Sequence, residues 1–231
     1  MDKENCETLK VVLLGESGVG KTCIINQYTN QEFKEEHITT ITAGGDKQFK
    51  EIKVGNKQVK LEIWDTAGQE QYRAVNKIFM NKAKIAAIVY DMTNKESFDN
   101  LKNWYNELKD KSDSVELIGI IANKSDLYEE QVINKDEGEN YAKSINALFF
   151  ETSAMDYESV AAVFEGLTKK YVEMEEEKER IKKEEELKSQ KKVEKKKEEQ
   201  EKKGVPLDRS KHTDGGDGSE GKGDGGEGCC G

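Results

Sequence analysis

Short apolar runs alternate with amphipathic segments over the first three quarters of the chain. Residues 9–14, 85–90 and 115–122 are predominantly apolar, as expected of strands that are covered on both faces. Between the second and third runs, apolar residues recur at helical spacing over 98–108, and residues 134–145 predict a second crossover helix. This alternation predicts an α/β fold, in which a mostly parallel sheet carries helices on both faces and binds ligands at the carboxyl ends of its strands.

Two further signals complete the predicted sheet. Residues 49–54 and 59–64 flank the turn pair Gly55-Asn56, which predicts a β-hairpin. Residues 148–150 are apolar and predict a last strand, which brings the number of strands to six.

The last quarter of the chain has a different composition. Residues 171–203 hold no proline or glycine, and acidic side chains precede basic ones at i,i+4 spacing, which predicts a helix. Because its apolar residues are sparse, a solvated helix that prolongs the domain's last helix is favoured, and a dimerising coiled coil is the alternative. We therefore divide the chain into a flexible N-terminus (1–8), a globular domain (9–172), a charged helical extension (173–203) and a disordered Gly/Asp-rich tail (204–231).

Charge and cysteine content restrict the possible functions. The formal net charge is −10, so nucleic acid is not an expected partner, because binding it requires clustered basic residues. Four cysteines, two of them at the extreme end, are too few and too scattered for a disulfide framework. Neither a signal peptide nor an apolar run of about 18 residues is visible, so we expect a reducing, cytosolic compartment.

The clearest chemical motif follows the first predicted strand. Residues 15–22 read Gly-Glu-Ser-Gly-Val-Gly-Lys-Thr and fit the pattern G-x-x-x-x-G-K-[ST] between a strand and a helix. The glycines let backbone N–H groups turn towards a phosphate, and the helix N-terminus adds its dipole. Lys21 would neutralise the β- and γ-phosphates, and the Thr22 hydroxyl would bind Mg²⁺. The predicted phosphate-binding residues of this loop are Ser17, Gly18, Val19, Gly20, Lys21 and Thr22.

A second motif, Asn-Lys-Ser-Asp at 123–126, selects the base. The Asp126 carboxylate is a double acceptor that suits the two N–H donors on one edge of guanine, whereas adenine offers no such pair. Asn123 would bind the base and brace the phosphate loop, and the Lys124 stem would lie along the purine. After the last strand, the small residues Ser153 and Ala154 would let backbone N–H groups, notably that of Ala154, reach the guanine carbonyl oxygen. GTP and GDP are therefore the predicted ligands.

A third motif, Asp-Thr-Ala-Gly-Gln at 65–69, follows the second arm of the hairpin. Asp65 would hold Mg²⁺ through a water molecule, and Gly68 would present its N–H to the γ-phosphate. Gln69 would orient the attacking water, which predicts hydrolysis of GTP. No candidate arginine finger is visible in the chain, so we expect slow turnover that depends on an activating protein.

Along about residues 8–172 these motifs occur in the family's order and spacing. They make the chain resemble the Ras-superfamily small GTPases, whose G domain is a P-loop NTPase fold, and within them the Rab family. The stretches similar to Rab signatures are residues 60–70, 90–94 and 97–98 and the terminal cysteine pair. Those most similar to the Rab branch that serves endocytosis and early endosomes are residues 15–17, 37–40 and 102–104.

The resemblance implies further roles. Thr40 would be the switch I threonine that binds Mg²⁺ and the γ-phosphate, and Phe33 would pack against guanine. Cys229 and Cys230 would carry two prenyl groups, since an acidic tail offers no polybasic second signal. The resemblance also implies cycling between GDP- and GTP-bound states on the cytosolic face of endomembranes, with a cytosolic pool. Its expected partners are an exchange factor, a GTPase-activating protein, a GDP-dissociation inhibitor, a prenylation escort, and effectors at switches I and II.

Four positions depart from the Rab pattern without touching the phosphate contacts. Thr42, Gly45 and Gln71 would change the surface that partners meet, and Met155 would change a contact near the base. Three alternatives stay open. They are a GTP-binding module that does not hydrolyse, a tether whose charged helix is the working part, and a Ras-like signalling GTPase, which the paired terminal cysteines disfavour.

Overall fold

A computed structural model describes residues 7–33, 47–66 and 79–202 of the 231-residue chain. The strands are β1 (Glu7–Leu14), β2 (Lys47–Val54), β3 (Lys57–Trp64), β4 (Ile85–Asp91), β5 (Leu117–Asn123) and β6 (Leu148–Glu151). The helices are α1 (Lys21–Asn30), α2 (Lys95–Asp99), α3 (Leu101–Lys111), α4 (Lys135–Ser144) and α5 (Tyr157–Lys202). The strands form one sheet in the order β2-β3-β1-β4-β5-β6, in which only the β2–β3 pair is antiparallel. The predicted six-stranded, mostly parallel sheet is confirmed.

Both faces of the sheet are covered, as the apolar runs predict. All seven residues of β4 are buried, and alternate side chains enter two different hydrophobic clusters. The cluster on one face includes Tyr28 of α1 and Phe164 of α5, whose rings stack with centroids 4.2 Å apart. The cluster on the other face includes Trp104 of α3 and Ala142 of α4. The carboxyl ends of β1, β4, β5 and β6 therefore lie at one edge of a sheet held between two layers of helices.

The helix predicted over residues 98–108 is divided into two. Asn94 caps α2 by accepting a hydrogen bond from the Ser97 amide, and the helix ends at Asp99. A new helix begins at Leu101 after Asn100. In contrast, α4 matches its prediction, since Asn134 and Glu137 form a reciprocal capping box at its start.

The last helix, α5, contributes to the core only over its first part. Up to Tyr171 it contributes buried side chains, and Val172 and Met174 still pack against the core. One compact unit of the chain runs to Arg180, and a second begins at Ile181. In the second unit, the apolar side chains of α5 are about half exposed; they are Ile181, Leu187 and Val193. That this helix is solvated rather than part of a dimerising coil stays a prediction. No helix in the described part of the chain is both long and apolar enough to cross a membrane.

Candidate functional site

The phosphate-loop motif forms the turn between β1 and α1. Gly18 and Gly20 have φ angles of 78° and 98°, a left-handed conformation that favours glycine. A Cβ on Gly20 would also collide with Nδ2 of Asn123, whereas a Cβ on Gly18 would meet no protein atom within 4 Å. Gly20 is therefore required both by its backbone conformation and by the close approach of the end of β5.

Lys21 is the first residue of α1 and its side chain is buried. The Nζ atom donates to the carbonyl oxygens of Gly15 and Glu16, at 2.8 Å each. Burial lowers the pKa of Lys21 to about 8, although the carboxylates of Asp65 and Glu16 oppose this shift. The first turn of α1 contains no acidic residue that would complement the helix dipole. The loop amides, the dipole and the Lys21 ammonium thus form a site suited to an anion.

Thr22 and Asp65 meet beside this loop. The parallel pairing of β1 with β3 brings the end of β3 next to the start of α1. The Thr22 hydroxyl donates to Oδ2 of the buried Asp65 at 2.6 Å. A hydroxyl and a carboxylate are both hard oxygen ligands of the kind that Mg²⁺ prefers. The two residues present here therefore fit the predicted ion.

Asn123 joins three parts of the site. Its Nδ2 donates to the carbonyl oxygen of Val19 at 2.7 Å, and its Oδ1 accepts from the backbone N–H of Ala154 at 3.1 Å. The predicted brace between this residue and the phosphate loop is present. The Ala154 N–H, predicted to face the guanine carbonyl oxygen, is engaged with Asn123, so a bound base would share this donor or displace the Asn123 contact.

Lys124 has a charged partner that the sequence patterns do not reveal. Its Nζ lies 2.6 Å from Oδ2 of Asp91, whose side chain is only 8% exposed. Lys124 adopts a left-handed backbone conformation with φ of 66°. The pairing of β4 with β5 sets Asp91 directly opposite Asn123 and so beside the base-selecting motif. The sequence feature that could have indicated this contact is an acidic residue, Asp91, at the carboxyl end of a wholly buried strand.

A second contact that the sequence did not predict joins the phosphate loop to α3. The indole Nε1 of Trp104, a buried residue of α3, donates to Oε1 of Glu16 at 3.0 Å. Because the Glu16 carbonyl oxygen also accepts from Lys21, this glutamate connects the loop to α3 and to the buried lysine. The two residues lie 88 positions apart, so no local pattern could pair them.

The remaining base-binding residues lie at the surface or in the neighbouring loop. Asp126 is exposed, and Phe33 is 38% exposed. Ser153 is buried, and its hydroxyl accepts from the Met155 amide at 3.1 Å. Met155 is itself 58% exposed. The predicted residues that fall outside the described part of the chain are Thr40, Thr42, Gly45, Gly68, Gln69, Gln71, Cys229 and Cys230.

A cavity of about 940 Å³ lies away from these motifs. It separates the β2–β3 hairpin from α5 and is bordered by Lys50, whose Nζ donates to the Tyr28 carbonyl oxygen at 3.0 Å. None of the predicted nucleotide-binding residues lines it. The polar constellation at the strand ends is therefore the better candidate site, since it has the donors and the charge that an anionic ligand needs.

Comparison with known proteins agrees with this geometry. Residues 10–173 match the model of the Ras family. The chain is 41% identical over 166 residues to the Ras-related protein RabQ of Dictyostelium discoideum, which covers 72% of this chain and 80% of that protein. It is 38% identical over 175 residues to human Ras-related protein Rab-21, which covers 76% and 77% respectively. With the GTP-binding protein ypt3 of Schizosaccharomyces pombe the identity is 41% over 156 residues, or 68% and 72% of the two chains.

The fold and the site together define a P-loop nucleotide-binding domain of the G-domain type. The family match covers more than half of the chain, and the relatives above share at least 38% identity across most of their own length. The chain belongs to the Ras family, as a Rab-type small GTPase.

Proposed function

We propose that the protein is a guanine-nucleotide switch that binds GTP with Mg²⁺, hydrolyses it slowly, and regulates vesicle-mediated membrane trafficking. The observation that carries this proposal is the position of Asn123. Its side chain connects the loop predicted to bind phosphate with the loop predicted to bind the base, through Val19 and Ala154. A single purine nucleotide that spans both loops accounts for this connection.

Recognition of the two ends of the nucleotide falls to separate groups. At the base, the exposed Asp126 carboxylate accepts the two guanine N–H groups, and the Lys124 stem lies along the ring. At the phosphates, the loop amides and Lys21 neutralise negative charge at the start of α1. Lys21 would then exchange its contacts with the loop carbonyls for phosphate oxygens, which are stronger acceptors for an ammonium.

The metal ion is assigned to Thr22, Thr40 and Asp65. Mg²⁺ bound there would neutralise charge on the β- and γ-phosphates. The hydrogen bond between Thr22 and Asp65 supports this assignment, because it holds two oxygen ligands beside the phosphate loop. Thr40 enters on the family resemblance alone.

In the proposed hydrolysis the protein forms no covalent intermediate and acts by positioning the reactants and stabilising charge. Gln69 orients a water molecule in line with the γ-phosphate, and the Gly68 N–H contacts that phosphate. Lys21 stabilises the charge that develops as the bond breaks. The sequence predicts no arginine finger within the chain, so turnover would be slow until an activating protein supplies one.

Membrane attachment is assigned to prenylation of Cys229 and Cys230. Two lipid chains give a stable anchor where one gives only marginal binding. The site of action would be the cytosolic face of endomembranes, in the endocytic pathway. This location is proposed because residues 15–17, 37–40 and 102–104 resemble those of the endocytic Rab branch. The proposed regulators are an exchange factor, a GTPase-activating protein, a GDP-dissociation inhibitor and a prenylation escort, with effectors at the two switches.

Single-turnover release of phosphate from GTP tests this proposal against a module that only binds GTP. The wild type should release phosphate slowly, and Gln69→Leu should release it far more slowly while retaining a similar affinity for GTP. Thr22→Asn is the matched comparison, because it should weaken binding of GTP with Mg²⁺ itself. Equal rates for the wild type and Gln69→Leu would remove the assigned role of Gln69. The complete absence of phosphate release would favour the binding module.

A further inference from the structure

The ion pair between Asp91 and Lys124 joins β4 to the base-selecting motif. Asp91 is the last residue of β4, and Lys124 directly follows β5. Their charged atoms lie 2.6 Å apart, with the carboxylate 8% and the lysine side chain 25% exposed. Such a pair is screened far less than one at the surface, so its geometry constrains both side chains.

Both oxygens of the Asp91 carboxylate are engaged. Oδ1 accepts from the amide and from the hydroxyl of Thr93, at 2.8 and 2.7 Å. Oδ2 faces Lys124. The Asp91 amide and carbonyl are also bonded to the Ser97 hydroxyl, at 3.0 and 3.3 Å. The carboxylate thus has one orientation, which is set by the turn that begins α2.

Lys124 needs an external constraint of this kind. Four methylene groups give its side chain many rotamers, and ordering such a chain carries an entropic cost. Its ammonium is fixed by Asp91, so the stem is ordered before a ligand arrives. Preorganisation of a contact group reduces the entropy that binding must overcome.

We propose that Asp91 is a positioning residue for guanine nucleotides, which holds Lys124 with its stem along the purine and thereby slows nucleotide dissociation. This inference rests on the proposed guanine-nucleotide binding. In this proposal the effect of Asp91 on the ligand passes through Lys124, to which its Oδ2 is paired.

The dissociation rate of a fluorescent GDP analogue from the full-length protein, chased with excess GDP in Mg²⁺, tests the proposal. Asp91→Asn keeps the oxygen that accepts from Thr93 and replaces the oxygen that accepts from Lys124 with an NH₂ group. Because a hydrogen bond to a charged group stabilises more than a neutral one, we expect nucleotide dissociation from Asp91→Asn to be about tenfold faster than from the wild type. Thr93→Val is the matched control, because it removes one bond to the same carboxylate but leaves the ion pair, and its rate should stay close to that of the wild type.

A double-mutant cycle separates positioning from a general structural role. Lys124→Met keeps a stem of similar length without the ammonium, and in that background Asp91→Asn should change the dissociation rate no further. If the two substitutions instead act independently and their effects multiply, Asp91 does not work through Lys124. An unchanged rate in Lys124→Met alone also overturns the inference, even if Asp91→Asn cannot be prepared in folded form.

The outcome is distinguishable from failure of the proposed function. A wild-type protein that does not retain the GDP analogue contradicts guanine-nucleotide binding itself. A wild type that retains the analogue, with Asp91→Asn releasing it at the same rate, contradicts only the positioning role.

Discussion

Replacing Gly20 with alanine should damage the site more than the same change at Gly18. Both glycines have left-handed backbones, and a Cβ in that conformation costs about 1 kcal/mol. At Gly20 the new methyl group would also displace the Asn123 amide, which is buried and makes bonds to Val19 and Ala154. Losing those two hydrogen bonds adds about 1 kcal/mol each. We therefore expect Gly20→Ala to cost about 3 kcal/mol of unfolding free energy, and Gly18→Ala about 1 kcal/mol.

Urea unfolding followed by tryptophan fluorescence measures this difference, and removing bound nucleotide with EDTA beforehand avoids interference from phosphate contacts. The buried Trp104 is a suitable probe, since it belongs to the core and is bonded to the phosphate loop. Equal losses in the two variants would mean that Asn123 moves aside without penalty. The claim that Asn123 rigidly braces the loop would then be wrong.

Two further predictions concern an ion-pair cluster and a packing contact elsewhere in the domain. Glu116 contacts Lys178 and Lys84, and these two lysines hold the pKa of its carboxyl below the ordinary value. The ionised carboxylate therefore stabilises the fold fully above the ordinary pKa, and this stabilisation is lost as the pH falls through the lowered pKa. Acidification from pH 7 to below 4.5 should therefore reduce the unfolding free energy more in the wild type than in Glu116→Gln. Equal losses would show that the two ion pairs of Glu116 contribute nothing. Gly138→Ala should lower stability by about 1 kcal/mol, because overpacking against Tyr90 and Phe149 outweighs the gain in helix propensity. Thermal or urea unfolding checks this, and a more stable variant would show that those two rings yield easily.

The features predicted from sequence share a local origin. The phosphate loop and the Asn-Lys-Ser-Asp motif each carry their chemistry within eight residues or fewer, and the sheet follows from apolar runs whose burial is confirmed in β4 and β5. Asp65 could be placed beside Thr22 because both follow parallel strands, which end at the same edge of the sheet.

Two long-range contacts were not predicted, for a physical reason. The pairs Asp91–Lys124 and Glu16–Trp104 join segments that meet only when the sheet and its helices assemble. The break at Asn100 was not predicted either, because the hydrophobic spacing continues across it although α2 ends at Asp99 and a new helix begins at Leu101. Periodicity records which face of a helix is buried, but it does not record where the backbone hydrogen bonds change partners.

The nucleotide carried by the full-length protein after purification tests the central claim most directly. The account predicts a stoichiometric amount of GDP or GTP, with no adenine nucleotide, and faster release when EDTA removes Mg²⁺. Asp126→Asn should lower the guanine content, since an amide cannot accept both guanine N–H groups. Purified wild-type protein that holds ADP or ATP, or that binds no guanine nucleotide when GDP and Mg²⁺ are supplied, would contradict the account.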